Sequence, residues 1–299
     1  DNLQKTIHWV KRLRSRDESV LEKLALRSKT DAETVVREAE PGPWNVTKVE
    51  EKVVHRSPAP PFTTSTLQQA ASNQLGFSAS RTMRAAQRLY EGVDLGEEGP
   101  TALITYMRTD SVNLAGEAVT ALREVISAEI GADFLPQEAR RYVTKAKGAQ
   151  EAHEAIRPID PHRTPERVKS HLGRDEYRLY DLIWRQAVAS QMADAAFRAM
   201  TVDISTNRYG FRATGSRIEF PGYLRVAGTR AIKETILPEI RQGETLTLDS
   251  PLRPLQHTTQ PPPRYTEASL VRALEQDGIG RPSTYAPTIE TIQERGYVV

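Results

Sequence analysis

A long stretch of helical pattern lies between two stretches of strand-like sequence. Across residues 63–192 apolar residues recur at spacings of three and four, with Ser65 and Ser78 where helices would begin and Gly76 and Gly92 where they would end. On both sides β-branched and aromatic residues favour strands instead. These strands are predicted over residues 44–56, 197–205, 209–214, 217–220 and 245–248. The sequence therefore predicts an α+β fold in which a helical domain interrupts a β-rich one.

Prolines mark the expected domain limits. The run Ser-Pro-Ala-Pro-Pro at 57–61 breaks regular structure, and three prolines at 261–263 form a stiff linker. We predict a discontinuous β-rich domain over residues 1–61 and 195–260. A helical domain with the candidate site covers 62–194, and a smaller helical domain covers 261–299. In the last domain helices are expected over 266–276 and 283–295, while apolar spacing predicts helix over residues 1–27. Thr30 and Glu33 fit a capping box, which predicts another helix beginning at Thr30.

Composition limits the class of protein. No window is apolar enough to span a membrane, the first residues are too charged for a secretory leader, and cysteine is absent. Disulfides and thiolate zinc ligands are therefore excluded, and a cytoplasmic setting is expected. The net charge of +2 does not by itself indicate a nucleic-acid partner.

Residues 103–111, Leu-Ile-Thr-Tyr-Met-Arg-Thr-Asp-Ser, hold the main candidate site. The first half alternates like a strand, which would put Ile104, Tyr106 and Arg108 on one face. A phenol supplies an oxygen nucleophile, and a guanidinium supplies a planar fork of donors that matches phosphate oxygens. The alternative to phosphate chemistry is a purely structural role, with Tyr106 an ordinary strand residue and Arg108 an ordinary exposed one.

Four ordered motifs resemble those of type IA DNA topoisomerases, the family of bacterial DNA topoisomerase I. In chain order, the first is 61–69 (PFTTSTLQQ) and the second is 106–111 (YMRTDS). The third is 150–158 (QEAHEAIRP), and the last runs from 260–267 (QPPPRYTE) to 280–286 (GRPSTYA). The resemblance implies an arch in which a β-rich domain carries the helical domain with the active-site tyrosine. It begins near Thr30.

The resemblance implies roles for individual residues. Tyr106 would be the nucleophile, Arg108 would stabilise the attacked phosphate, and His153 would contact that phosphate; these three are the predicted catalytic residues. The predicted DNA contacts are Asp110, Arg157, Arg281, Ser283 and Thr284. Asp110 could instead align Arg108, contact a protein partner, or begin the following turn.

The histidine motif is not a metal site. His153 and Arg157 are four residues apart, so one helical turn would place them on one face. The spacing is similar to that of the zinc motif His-Glu-x-x-His, but an arginine stands where the second ligand should be. We therefore predict no metal ligands in this chain.

The implied activity is transient cleavage of single-stranded DNA through a 5′-phosphotyrosine link. Strand passage and rejoining would then relax negatively supercoiled DNA without ATP. The family also needs Mg²⁺ bound by acidic residues of a Toprim domain, yet no Asp-x-Asp pair occurs here. We therefore expect an internal fragment that is inactive without its Toprim partner. Its expected location is the cytoplasm, in association with the nucleoid.

Two other functions use a tyrosine or a DNA-binding surface in different ways. A non-catalytic single-stranded-DNA-binding module would use phosphate contacts and base stacking, with the Tyr106 segment only structural. A tyrosine recombinase is excluded because its tyrosine is C-terminal to dispersed catalytic residues, whereas Tyr106 lies early in the chain.

Overall fold

The computed structural model describes residues 6–7, 12–17, 19–21, 26, 28–143, 153–229 and 232–298. The strands are β1 Thr6–Ile7, β2 Arg12–Arg16, β3 Ser19–Val20, β4 Trp44–Arg56, β5 Val93–Asp94, β6 Pro100–Thr101, β7 Ala195–Thr206, β8 Tyr209–Phe220 and β9 Thr245–Leu248. The helices are α1 Lys29–Ala39, α2 Thr64–Leu75, α3 Ala79–Glu91, α4 Gly116–Val125, α5 Pro165–Val168, α6 Arg174–Ser190, α7 Leu224–Ala227, α8 Glu267–Gln276 and α9 Tyr285–Glu294. Helix α4 continues into a π-helical turn, Ile126–Ile130.

The chain divides into two compact units. The first, here called the β unit, comprises Asp1–Arg56, Ala196–Phe220 and Arg230–Pro262. The second, the helical unit, comprises Ser57–Ala195, Pro221–Thr229 and Pro263–Val299. The α+β class is confirmed, while the predicted division into three domains stays a prediction. None of the described helices is long and apolar enough to cross a bilayer.

The β unit is built on a seven-stranded sheet in the order β1-β9-β4-β7-β8-β2-β3. Strands β1 and β9 are parallel, while β7 and β8 form a long antiparallel hairpin that turns at Asn207. Helix α1 contributes Val35 and Ala39 to a core with Trp44 and Phe211, whose ring centroids lie 4.9 Å apart. Burial of one apolar sheet face against this helix is what stabilises the unit.

Two predictions for this unit are wrong. The helix expected over residues 1–27 is replaced, in its described part, by short strands, because β2 pairs with β8 in the register Leu13↔Phe211. Tertiary pairing thus overrides the local apolar spacing. The first helix begins before the capping box expected at Thr30: its N-cap is Ser28, two residues earlier, which accepts a hydrogen bond from the Asp31 amide at 3.1 Å.

The helical unit packs α2, α3 and α6 around one core. Its buried members include Leu67, Phe77, Leu89, Leu179 and Ile183. The predicted helix start at Ser78 and the ends at Gly76 and Gly92 are confirmed, whereas α2 is capped by Thr63 rather than by Ser65. Tyr180 also lies in this core, and its hydroxyl donates to the Arg163 carbonyl oxygen at 2.7 Å.

Helices α8 and α9 pack against α2 and α3 within the same unit. Val271 and Ile289 meet Ala79 and Met83 in a small apolar cluster. The Glu267 carboxylate accepts a hydrogen bond from the Ala79 amide at 2.8 Å, which satisfies a free donor in the first turn of α3. Both predicted helices are confirmed, although the second begins at Tyr285 rather than at Ser283.

Replacing Tyr180 with Phe should lower the free energy of unfolding by about 1–2 kcal/mol, because the Arg163 carbonyl loses this donor in a buried place. The midpoint of urea unfolding at unchanged slope measures the effect. Tyr177→Phe is the control. It also removes a hydroxyl, but it keeps the half-buried ring, which lies 5.3 Å from the Lys169 ammonium. Equal midpoints for the two variants would contradict the prediction.

An ion pair in the β unit gives a pH-dependent prediction. Asp203 and Arg212 face each other across the β7–β8 hairpin, with two hydrogen bonds of 2.6 and 2.7 Å. These bonds, together with the charge of Arg212, hold the pKa of Asp203 below its ordinary value of 3.8. The stabilisation by the carboxylate is therefore complete above pH 3.8 and is lost as the pH falls below it.

We expect Asp203→Asn to reduce the free energy of unfolding by roughly 0.5 kcal/mol at neutral pH. The difference from the unchanged protein should shrink as the pH falls below 3.8. Urea unfolding at several pH values measures it, with the exposed Asp249→Asn as control. A difference that stays constant on acidification would show that the carboxylate charge is not responsible.

Candidate active site

The Tyr106 segment is not a regular strand. Ile104 makes an isolated antiparallel bridge to Pro158 and is fully buried, whereas Tyr106 and Arg108 are exposed. The prediction that Ile104 shares their face is therefore wrong. The backbone turns after the bridge, and a new alternation begins: Tyr106 and Arg108 face outward, while Met107, Thr109 and Ser111 are buried.

A threonine hydroxyl fixes the segment from one side. Thr64, in the first turn of α2, donates to the Met107 carbonyl oxygen at 2.7 Å and accepts from the Thr109 amide at 2.9 Å. The Thr64 amide in turn donates to the Thr109 carbonyl oxygen at 2.9 Å. Since Thr64 is fully buried, these bonds are shielded from water. The motif at 61–69 thus holds the backbone on which Arg108 stands.

The histidine motif fixes the segment from the other side. The Thr105 hydroxyl donates to the Ala155 carbonyl oxygen at 2.7 Å and accepts from the Arg157 amide at 3.0 Å. The Ile156 amide donates to the Phe62 carbonyl oxygen at 2.8 Å. Three of the four motifs therefore meet at the residues flanking Tyr106. Positions 150–152 of the histidine motif lie outside the described residues.

Arg157 is buried rather than presented on a helix face. No helix forms over 153–157, so the expected helical turn is wrong. The guanidinium donates twice to Glu154, at 2.6 and 3.0 Å, and also to the carbonyl oxygens of Pro158 and Ile159. Glu154 also accepts from the Ala115 amide at the start of α4. In this conformation Arg157 stabilises the loop.

The other predicted contacts are accessible to different extents. His153 is exposed at the beginning of its segment, and Asp110 is half-buried beyond Arg108. Arg281, Ser283 and Thr284 are all exposed in the turn before α9.

Gly280 shapes that turn. Its φ is +82°, and an added Cβ would lie 3.1 Å from the Thr284 hydroxyl, so glycine suits both the backbone and the space. The Arg281 amide donates to the Thr284 hydroxyl at 2.8 Å. Burial raises the pKa of Tyr285, the residue that follows this turn, and the charge of Glu275 raises it further while that of Arg281 lowers it.

Burial sets four of the described tyrosines apart from Tyr106. Burial raises the pKa of Tyr142 to about 12. It also raises the pKa of Tyr180, Tyr209 and Tyr285. A phenol with a raised pKa is a poorer source of phenolate at neutral pH, so these four are unsuited to nucleophilic attack. Tyr106, with 45% of its surface exposed, is open to a polymeric substrate.

Sequence reasoning missed two neighbours. Glu154 is the partner of Arg157, and its spacing of three residues was an available signal. Tyr90 lies at the end of α3 with its ring centroid 5.3 Å from that of Tyr106. Since a loop separates these two tyrosines, no local pattern joins them.

Among the described residues no group of three or more histidine, aspartate or glutamate side chains is placed to hold a metal ion. Mg²⁺ takes carboxylate and other oxygen ligands. The described part of the chain does not fit a Mg²⁺ site.

Comparison with known proteins agrees with the motifs. A family model described as DNA topoisomerase matches residues 4–299. DNA topoisomerase 1 from two Xylella fastidiosa strains, Temecula1 and 9a5c, is 47% identical over 284 residues, which is 90% of this chain. The chain spans 35% of the length of these curated relatives.

A solved structure, full-length topoisomerase I from Thermotoga maritima, matches with a TM-score of 0.78 and 34% identity. The match covers 96% of this chain and 45% of the other. Because the family model covers almost all of the sequence, the chain belongs to the bacterial DNA topoisomerase I family, the type IA topoisomerases.

Proposed function

We propose that Tyr106 cleaves single-stranded DNA by direct attack on a backbone phosphorus. The phenol gives up its proton as its oxygen bonds to phosphorus, the bond from phosphorus to the 3′ oxygen breaks, and that oxygen takes up a proton and leaves as a hydroxyl. The strand end stays joined to Tyr106 as a 5′-phosphotyrosine ester. Reversal of the same step rejoins the strand, so the ester conserves the bond and ATP is not needed.

One observation carries this proposal. An exposed phenol and an exposed guanidinium stand two residues apart on a backbone that hydrogen bonds fix on both sides, through buried Thr64 and half-buried Thr105. Positioning and charge stabilisation supply most of the catalysis in phosphoryl transfer. Arg108 can direct two parallel N–H donors at the non-bridging oxygens, where negative charge grows during attack.

The remaining site residues take supporting roles in the proposal. His153 would donate a hydrogen bond to the phosphate next to the scissile bond. Arg281, Ser283 and Thr284 would bind the DNA strand at the turn before α9, and Asp110 would orient Arg108 or contact the strand. Arg157 would support the site by holding its own loop in place, since its donors are already used by Glu154 and two carbonyl oxygens.

The complete reaction needs more than the described residues supply. We propose that a Toprim domain of the same protein provides the acidic residues for Mg²⁺. Together they would pass strands through the break and relax negatively supercoiled DNA, in the cytoplasm and in association with the nucleoid. A non-catalytic single-stranded-DNA-binding module is the alternative, and covalent capture of DNA separates the two.

Tyr106→Phe should abolish covalent capture while preserving DNA binding, because the ring remains but the nucleophilic oxygen is lost. The assay joins the chain to a type IA Toprim domain and adds Mg²⁺ and a labelled single-stranded oligonucleotide. The adduct is measured after protein denaturation, and affinity by fluorescence anisotropy. Tyr177→Phe is the matched control and should form the adduct normally.

Two results would contradict the proposed role of Tyr106. An adduct in the Tyr106→Phe variant would assign the nucleophile to another tyrosine. Binding without any adduct in the unchanged protein would favour the non-catalytic module.

Arg108→Lys should slow adduct formation by roughly 10- to 100-fold, because a lysine ammonium lacks the bidentate fork that stabilises the attacked phosphate. Single-turnover cleavage at saturating DNA measures the rate. Arg185→Lys, on an exposed arginine that pairs with Asp181, is the control and should be unaffected. An unchanged rate for Arg108→Lys would remove this residue from the mechanism.

A further inference from the structure

Two tyrosine rings from different parts of the helical unit meet beside the candidate nucleophile. The ring centroids of Tyr90 and Tyr106 lie 5.3 Å apart, with an angle of 62° between the ring planes. This is the edge-to-face arrangement that aromatic pairs favour, because the positive edge of one ring meets the negative face of the other. The exposed fractions are 37% for Tyr90 and 45% for Tyr106.

A backbone hydrogen bond and two buried neighbours hold the chain where the two rings meet. Leu89, next to Tyr90, is fully buried, and its carbonyl oxygen accepts a hydrogen bond from the Leu103 amide at 2.8 Å. Met107, next to Tyr106, is also buried. Each ring thus stands beside a residue anchored in the same core. The contact is therefore built into the fold.

An exposed tyrosine without such a neighbour would sample several staggered rotamers. In-line attack needs the phenolic oxygen within a narrow range of distance and angle from the phosphorus, and rotamers outside that range are unproductive. The ring of Tyr90 occupies one side of Tyr106 and removes the rotamers that would swing it towards α3. The contact is between the two rings.

We propose that Tyr90 is a positioning residue that restricts the Tyr106 ring to the orientations from which it can attack DNA. This inference rests on the proposed role of Tyr106 as nucleophile. Tyr90 itself forms and breaks no bond. Phenylalanine should replace it, while leucine, which lacks a ring, should not.

The first experiment tests the contact without DNA. The chain is labelled with fluorotyrosine, and the fluorine NMR signal of Tyr106 is identified by its loss in Tyr106→Phe. Tyr90→Leu should shift that signal, and Tyr90→Phe should leave it near its original position. Tyr177→Leu, which removes a half-buried ring on α6, is the control. An unmoved Tyr106 signal in Tyr90→Leu would overturn the proposal whatever the reaction.

The second experiment tests the consequence for the reaction. With the Toprim domain joined and DNA saturating, Tyr90→Leu should slow adduct formation by about 2- to 10-fold, which corresponds to the strength of one aromatic pair. DNA affinity should be unchanged, and Tyr90→Phe should restore the rate. Unchanged signals from the other tyrosines would show that the variants are folded.

The two experiments separate the possible failures. A shifted NMR signal with an unchanged rate, or a loss in Tyr90→Phe as large as in Tyr90→Leu, would overturn positioning by the ring. Absence of any adduct in the unchanged protein would instead contradict the proposed function. The NMR result would then still report on the contact.

Discussion

Two threonine hydroxyls, those of Thr64 and Thr105, hold the candidate site together. Each donates to a carbonyl oxygen and accepts from a backbone amide of a segment distant in sequence. The chain is irregular here, so neither helix nor sheet satisfies these backbone groups. The two hydroxyls supply the hydrogen bonds that a helix or sheet would otherwise make. They thereby fix the backbone that carries the exposed Tyr106. Loop residues can be precise when buried polar bonds of this kind hold them.

Local signals predicted most of the elements of the helical unit. Helices α2, α3, α6 and α8 were predicted because their caps, glycine ends and apolar stripes lie within a few neighbouring residues. The errors arise where distant segments decide the outcome. Strand β2 forms because β8 lies beside it, and Ile104 turns inward because Pro158 pairs with it. No window of sequence contains both partners.

The candidate site was predictable as a set of motifs but not as a set of accessible groups. Arg108 and Arg157 have the same chemistry and were both predicted to contact DNA. One is exposed, while the other uses its guanidinium to hold a loop. Three-dimensional packing alone distinguishes them. The contact of Tyr90 with Tyr106 is a similar case, since it depends on the hydrogen bond from the Leu103 amide to the Leu89 carbonyl oxygen.

That same hydrogen bond closes the loop between α3 and the Tyr106 segment. The loop carries the short β5–β6 hairpin and a run of acidic residues, and its two ends are pinned together at Leu89 and Leu103. Lengthening a closed surface loop costs little conformational entropy. Insertions and deletions can therefore accumulate between these ends while the tyrosine stays in place, so relatives are free to differ here in length without altering their chemistry.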